Sequence, residues 1–139
     1  MYKILRADIL DVQSLYELEK ENFPLYEQYS LSQLQECLTS TNYIIYKLVS
    51  NETIISYIIL LKVVDEYEIL KICTLSCLKK QGFASKLLKT IIEKENINKI
   101  FLEVRESNIS AQKLYLSNGF KVIGKRAKYY GNEDAIIME

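Results

Sequence analysis

The chain has 139 residues, of which 49% are hydrophobic and 26% are charged, proportions typical of a single globular domain with one core. Its 18 basic and 18 acidic side chains leave a formal net charge of zero, so the composition indicates neither a nucleic-acid partner nor a membrane partner. The chain has no histidine, which excludes Ser-His-Asp and Cys-His catalysis and argues against a zinc site. Acid–base chemistry must therefore use Glu, Asp, Tyr, Lys, Cys, the backbone or water.

The cysteines indicate a reducing environment. Cys37, Cys73 and Cys77 are odd in number and contain no Cys-x-x-Cys pair. The sequence shows no signal-peptide pattern and no apolar helical run long enough to cross a bilayer. We therefore expect free cysteines, a cytoplasmic location and no bound metal.

The first predicted elements are a strand and a helix. Residues 3–7 (KILRA) are typical of a short strand, and Asp8 is expected to cap a helix that ends near Asn22. The apolar stripe predicted for this helix consists of Ile9, Val12, Leu15 and Tyr16.

A second helix is predicted after a loop that contains the only proline, Pro24. Ser30 and Gln33 have the spacing of a capping box, which marks a helix start. The buried side of this helix is predicted to hold Leu34, Cys37 and Leu38.

Three β-rich runs follow in the middle of the chain. Residues 42–50 and 53–64 flank a short polar turn at Asn51, which predicts a hairpin, and residues 66–75 should extend it as an antiparallel meander.

The last third is predicted to alternate helices and strands. A helix over 82–96, a strand over 99–104 and a helix over 108–118 precede a closing hairpin of 120–130 and 133–138. The predicted order is βααβββαβαββ over residues 1–139. This order indicates a single α/β (α+β) domain with a mixed, mostly antiparallel sheet of about seven strands and four helices.

The stretch KKQGFASKLL (79–88) is a candidate phosphate site. Gly82 permits a tight backbone path, and the small residues Ala84 and Ser85 leave the start of the following helix uncovered. Free N–H groups and the positive end of the helix dipole would suit a diphosphate at this point. The alternative is a tight turn flanked by solvated lysines.

Together these elements resemble the Gcn5-related N-acetyltransferases (GNAT). The signature of that family is Arg or Gln, two residues, Gly, one residue, and Gly or Ala. It corresponds here to Lys79-Lys80-Gln81-Gly82-Phe83-Ala84, with Lys79 as a departure at the first position.

Within that family the chain is most similar to the RimI type, the ribosomal-protein-alanine N-acetyltransferases. The residues that carry this resemblance are LEVRESNISAQKLYLSNGF (102–120) and YYGNEDAIIM (129–138). Two departures border the acceptor side: Leu25 replaces a common Trp, and the turn from Tyr130 to Glu133 is short.

The resemblance implies that Glu103 is the general base. Strand alternation places Phe101, Glu103 and Arg105 on one side of their strand, away from an apolar layer. The alternative is a structural ion pair of Glu103 with Arg105 or with a lysine.

The resemblance also implies that Tyr115 is the general acid and that Asn108 contacts the pantetheine arm of CoA. The alternatives are a core aromatic residue for Tyr115 and a helix N-cap for Asn108, and one asparagine can serve in both roles.

The resemblance further implies that two splayed parallel strands expose the backbone of residues 72–74 to the pantetheine. A covalent acyl-enzyme on Cys73 is rejected, since no base is evident beside it. The residues predicted to bind acetyl-CoA are Ile72, Cys73, Thr74, Lys80, Gln81, Gly82, Phe83, Ala84, Ser85 and Asn108.

The predicted function is acetyl-CoA-dependent acetylation of a protein N-terminal amine, with the N-terminal alanine of a small-subunit ribosomal protein as the implied acceptor. The alternatives are a GNAT enzyme for another peptide, a lysine or a small amine, and a non-catalytic acyl-CoA-binding domain. A monomer or weak dimer is expected.

Overall fold

The computed structural model describes residues 2–79 and 81–139. The strands are β1 (Tyr2–Arg6), β2 (Tyr43–Ser50), β3 (Thr53–Val63), β4 (Glu66–Thr74), β5 (Lys99–Arg105), β6 (Val122–Arg126) and β7 (Ala135–Met138). The helices are α1 (Val12–Asn22), α2 (Leu31–Thr39), α3 (Phe83–Lys94) and α4 (Ile109–Ser117). The predicted order of strands and helices is confirmed.

The seven strands form one sheet in the order β1-β2-β3-β4-β5-β7-β6. Every neighbouring pair is antiparallel except β4 and β5, which are parallel because the α3 crossover connects them. The predicted mixed, mostly antiparallel sheet is therefore confirmed.

The start of α1 differs from the prediction. Asp8 caps a 3₁₀ turn over Ile9–Asp11, with the Leu10 N–H donating to Asp8 Oδ1 at 2.9 Å, and α1 begins only at Val12. A 3₁₀ turn winds more tightly than an α-helix, so Ile9 is rotated away from the core and is 44% exposed. Its place in the predicted apolar stripe was wrong.

The start of α2 agrees with the prediction. The Gln33 N–H donates to Ser30 Oγ at 3.1 Å, and the Ser30 N–H donates to Gln33 Oε1 at 2.7 Å. These reciprocal bonds form the expected capping box. Leu34 and Cys37 are buried beneath this helix.

The sheet carries a hydrophobic core on each face. Tyr57 and Ile59 pack on the side of α1 and α2, whereas Ile58 and Leu60 pack on the side of α3 and α4. In β5, Leu102 and Val104 belong to the α3/α4 core, so alternation turns Glu103 to the α1/α2 side. Tyr115 of α4 belongs to the α3/α4 core. Glu103 and Tyr115 therefore lie on opposite sides of the sheet.

The parallel strands β4 and β5 separate after a short paired segment. Their pairing runs from Glu66 opposite Lys99 to Ile69 opposite Leu102. The register of β3 with β4 then shifts, so that Leu60 faces Ile69 and Ile59 faces Lys71, which leaves Leu70 as an extra residue. Such a bulge bends its strand. A gap consequently opens between residues 70–74 of β4 and 103–105 of β5, as the family resemblance predicts.

Within the described residues, no helix is long and apolar enough to span a membrane. All three cysteines are free, with Cys37 and Cys73 buried and Cys77 exposed.

Candidate active site

A cavity of about 820 Å³ lies beside the ends of the separated strands and is bordered by α3 and α4. Its volume is in the range of about 300–1,000 Å³ that is usual for small-molecule sites. Of the residues predicted to bind acetyl-CoA, those that line it are Ile72, Cys73, Thr74, Gly82, Phe83, Ala84, Ser85 and Asn108. Residues distant in sequence are thus brought to one cavity.

Two other predicted cofactor residues do not contribute to the described cavity wall. Lys80 lies outside the residues that the structure describes, and Gln81 is exposed and is not among the described lining residues. The lining also includes Lys79 and Lys113, which give this otherwise neutral chain local positive charge. Lys113 was not predicted, because one lysine on an amphipathic helix has no distinguishing sequence signal.

The N-terminus of α3 opens onto the cavity. Gly82 is the N-cap, with a left-handed φ of 83°, and none of the described side chains caps the helix there. The first hydrogen bond of the helix runs from the Lys86 N–H to Gly82 O at 3.0 Å. The N–H groups of Phe83, Ala84 and Ser85 therefore lie in the first turn, where an α-helix supplies no carbonyl partner. This turn is suited to an anionic group.

A side-chain contact joins the two helices that border the cavity. Asn118 Nδ2 donates to Ser85 Oγ at 2.9 Å and to Leu114 O at 2.8 Å. The start of α3 is thereby connected to the end of α4. Asn118 was not predicted as a site residue, since asparagine at a helix end is common as a cap.

The end of β4 supplies backbone groups to the gap. The Leu75 N–H donates to Ile55 O on the β3 side at 2.8 Å. Because backbone direction alternates in an antiparallel pair, the N–H and C=O groups of Ile72 and Thr74 point away from β3, whereas those of Cys73 point toward it. The Thr74 hydroxyl is held by Ser56 Oγ at 3.1 Å. Two residues of the predicted segment 72–74 can therefore pair with an extended ligand.

The thiol of Cys73 is in an unreactive state. Burial raises its pKa to about 12, with a further contribution from the nearby Glu19 carboxylate. A thiol with this pKa is almost entirely protonated at neutral pH and is a poor nucleophile. The environment thus agrees with the rejection of a covalent acyl-enzyme. Among the described residues, no group of three or more His, Cys, Asp or Glu side chains is arranged to hold a metal ion.

Glu103 has one paired and one unpaired carboxylate oxygen. Its Oε1 accepts from Arg126 Nη2 at 2.8 Å, and its Oε2 is buried without a hydrogen-bond partner among the described residues. The ion pair that the alternative predicted is therefore present, but its partner is Arg126. The predicted partner, Arg105 or a lysine, was wrong, and Arg105 instead binds Glu27 and Glu133. A buried acceptor without a donor is costly unless a water molecule or a ligand supplies one.

Tyr115 is buried behind the cavity and is not one of the described lining residues. Its ring packs on Phe120 with centroids 5.6 Å apart. Burial raises the pKa of its hydroxyl, and the nearby Tyr130 raises it further, so the group is protonated at neutral pH. The side chain is part of the core, as the structural alternative stated, and its ionisable hydroxyl lies near Tyr130.

Tyr130 connects the surroundings of Glu103 and Tyr115. Its hydroxyl donates to the Glu103 backbone carbonyl at 3.3 Å, and its ring lies 4.3 Å from the Arg105 guanidinium carbon. No role was predicted for Tyr130, although its YYG motif was part of the family resemblance.

Asn108 caps α4, as the structural alternative stated. Its Oδ1 accepts from the Ala111 N–H at 3.1 Å. Because the cap uses the oxygen, the Nδ2 amide is the side-chain group that can donate to a ligand in the cavity.

A family model described as the acetyltransferase (GNAT) family matches residues 12–120. The chain belongs to the GNAT acetyltransferase family. The [ribosomal protein bS18]-alanine N-acetyltransferase of Haemophilus influenzae is 32% identical over 143 residues, covering 97% of this chain and 95% of the relative.

Solved structures agree with this assignment. The ribosomal-protein-S18-alanine N-acetyltransferase from Escherichia coli superposes with a TM-score of 0.89 at 28% identity, covering 99% of this chain and 92% of that chain. The PaiA N-acetyltransferase from Thermoplasma acidophilum, solved in complex with coenzyme A, shares the fold with a TM-score of 0.81 at 19% identity and covers 99% and 98% of the two chains. The predicted GNAT family, its fold and the N-acetyltransferase class are confirmed.

Proposed function

We propose that this GNAT enzyme transfers the acetyl group of acetyl-CoA to the N-terminal alanine of a ribosomal protein, the counterpart of bS18. The observation that carries the proposal is the cavity at the separated ends of β4 and β5, where eight of the ten predicted cofactor residues meet. The bS18-alanine N-acetyltransferases, which match almost the full length of the chain, support the choice of acceptor.

Acetyl-CoA would bind along this cavity as an additional strand. Its pantetheine amides would pair with the backbone of Ile72 and Thr74, in the manner of a peptide added to a sheet edge. Its diphosphate would meet the first turn of α3 and the lysines that line the cavity. A backbone N–H of β4 would then stabilise the negative charge that develops on the thioester oxygen.

The acceptor amine must lose a proton before it can attack the carbonyl. An α-amino group has a pKa of about 8, so most of it is protonated at neutral pH. Glu103 would accept the proton at Oε2, directly or through a water molecule, while Arg126 holds Oε1. The amine would approach from the α1/α2 side of the sheet, the side that Glu103 faces.

The tetrahedral intermediate then expels the CoA thiolate, which takes up a proton. Tyr115 would supply this proton from the α3/α4 side. The C–N bond forms when the amine adds to the carbonyl, and the C–S bond breaks when the intermediate collapses. Of the two protons that the ammonium nitrogen loses, the first passes to Glu103 and the second leaves the intermediate to solvent, and solvent then replaces the proton that Tyr115 gives to the thiolate. Positioning the acid and the base on opposite sides of the gap keeps the two proton transfers apart.

The test is mass spectrometry of peptides incubated with the enzyme and acetyl-CoA, combined with an assay of CoA release. The matched peptides share an internal lysine and differ at the N-terminus, which is a free Ala, a free Glu or an Nα-blocked Ala. Acetylation confined to the α-amine of the free-Ala peptide is expected. Modification of the lysine in the blocked peptide would favour a lysine acetyltransferase. CoA binding without transfer to any of these peptides would contradict the proposed acceptor and leave the binding-only alternative.

A further inference from the structure

A completely buried carboxylate lies on the α1/α2 side of the sheet and has no role in the proposed chemistry. Glu19 of α1 has 0% exposure. Its Oε1 accepts from Lys71 Nζ at 2.7 Å and from the Tyr29 backbone N–H at 2.7 Å, and its Oε2 accepts from the Tyr57 hydroxyl. The carboxylate therefore links α1, the two central strands and the segment after α1.

Lys71 of β4 extends this network from Glu19 to the segment that follows α1. Besides Glu19, its ammonium donates to the Glu27 backbone carbonyl at 2.6 Å. It also lies over the Phe23 and Tyr29 rings, at 4.2 and 4.1 Å from their centroids. The side chain of Lys71 is only 9% exposed. Apart from Glu19, the groups that Lys71 contacts are the Phe23 ring, the Glu27 carbonyl and the Tyr29 ring, and all three belong to residues 23–29.

Residues 23–29, here termed the acceptor loop, form one wall of the active-site cavity. Phe23, Pro24 and Glu27 line that cavity opposite α3 and α4. The loop contains only one short 3₁₀ turn, over Leu25–Glu27, so its backbone depends on contacts with the rest of the fold. The Glu19–Lys71 pair fixes two of its backbone groups, the Glu27 carbonyl and the Tyr29 N–H.

The desolvation free energy of this ion pair indicates a role other than stabilising the fold. Removing two charges from water is expensive, and apolar side chains of similar volume often stabilise a fold as well as a buried ion pair does. Apolar side chains could not, however, hold a carbonyl and an N–H of a loop at defined positions. The contribution specific to the charged pair is therefore the conformation of the acceptor loop.

We propose that Glu19 and Lys71 are positioning residues, which preorganise the acceptor loop for the incoming peptide without touching acetyl-CoA or the reacting atoms. The inference rests on the proposed function, because it assigns this wall of the cavity to the acceptor. It implies that the loop is already ordered in the folded protein, so that ordering it does not reduce the free energy of peptide binding.

The test uses the double variant Glu19→Gln/Lys71→Met. Changing both residues avoids leaving one buried charge unpaired, which would destabilise the fold. The glutamine side chain can still accept from the Tyr57 hydroxyl without carrying a charge, whereas methionine removes the donor to the Glu27 carbonyl and the cation above both rings. The matched control is Asp11→Asn/Lys47→Met, which removes another largely buried ion pair, with a 2.8 Å contact. Within the part of the chain that the structure describes, this pair makes no hydrogen bond to the acceptor loop.

Hydrogen exchange and steady-state kinetics provide separate measurements. In the test variant, backbone exchange in the acceptor loop (residues 23–29) should accelerate about tenfold, as expected from losing a charge-assisted hydrogen bond. The KM for the Ala-starting peptide should rise by about the same factor, with kcat and CoA affinity within about twofold of wild type. The control variant should leave all of these unchanged.

The outcomes distinguish the two proposals. Faster exchange across the whole sheet, with CoA affinity falling in parallel, would indicate a purely structural pair and overturn the inference. Unchanged loop exchange or an unchanged peptide KM in an active enzyme would overturn it as well. If the wild-type enzyme acetylates no peptide, the proposed function fails, and loop exchange still decides whether the pair orders the acceptor loop.

Discussion

Replacing Glu103 by glutamine isolates the proposed base. The substitution preserves the shape of the side chain and removes its charge. In the wild-type protein the carboxylate pairs with Arg126, whose side chain is 53% exposed, while its second oxygen is buried without a partner among the described residues. An amide at this position can still accept from the arginine, so the fold should tolerate the change.

The catalytic effect should be much larger than the effect on stability. An ion pair with so exposed a partner contributes up to about 1 kcal/mol to the free energy of unfolding. A positioned acid–base group contributes about 10² to 10⁴ in rate, which corresponds to about 2.7 to 5.4 kcal/mol in the activation free energy. We therefore expect a fall in kcat of that order with little change in melting temperature.

The loss should also depend on pH in a defined direction. Without a base, only the free amine reacts, and with a pKa of about 8 its share rises from about one tenth at pH 7 to about nine tenths at pH 9. The activity of the variant should therefore rise roughly tenfold over this range, and the defect relative to wild type should shrink.

The assay is CoA release from acetyl-CoA with an Ala-starting peptide between pH 6 and 9. Glu68→Gln is the matched control, because Glu68 also faces the α1/α2 side and its pKa is raised by burial and by the neighbouring Glu103. The control should retain most of the activity. A Glu103→Gln defect of constant size across this pH range would refute a role in deprotonation and leave a structural role.

Three further results are expected. Tyr115→Phe should lower kcat with CoA affinity and melting temperature nearly unchanged, and a thioester with a more acidic thiol should recover part of the rate; full activity would remove the phenol from the mechanism. Gly82→Val should weaken CoA binding measured by calorimetry, because a left-handed φ costs a residue with a Cβ about 1–2 kcal/mol. The control Gly124→Ala should leave CoA binding unchanged, because Gly124 has an ordinary φ and an added Cβ would lie 3.8 Å from its nearest neighbour, Ile137 Cδ1. Alkylation at pH 7 should label exposed Cys77 and spare Cys73, whose pKa of about 12 keeps it protonated, and intact-mass measurements during turnover should show no acetyl group on Cys73.

The fold could be predicted closely because its signals are local. The capping box at Ser30, the alternating strands and the helical spacing after Gly82 depend on neighbouring residues, and each forms where it was predicted. The error at Ile9 has a local cause too. A short 3₁₀ turn before α1 changes which residues face inward, and apolar periodicity alone does not distinguish the two helical geometries.

The site could be predicted only in part because several of its contacts are long-range. Arg126 was not identified as the partner of Glu103, since β6 reaches β5 only through the intervening β7. The burial of Glu19 was also unpredictable. Its partner Lys71 is 52 positions away, and an isolated Glu in an amphipathic helix is usually solvated. Family resemblance supplied the proposed roles of Glu103 and Tyr115, which spacing alone could not.

One topological feature accounts for the position of the site. In a sheet of antiparallel neighbours, β4 and β5 are parallel because α3 connects them, and α3 begins beside the end of β4. Parallel strands carry their carboxyl ends at the same edge, so the bulge at Leu70 opens a gap where the helix N-terminus also lies. The same gap would let the proposed base Glu103 and the proposed acid Tyr115, which lie on opposite faces, act on one thioester. A binding site for an extended anionic cofactor and access for the proposed acid and base thus follow from a single β–α–β connection.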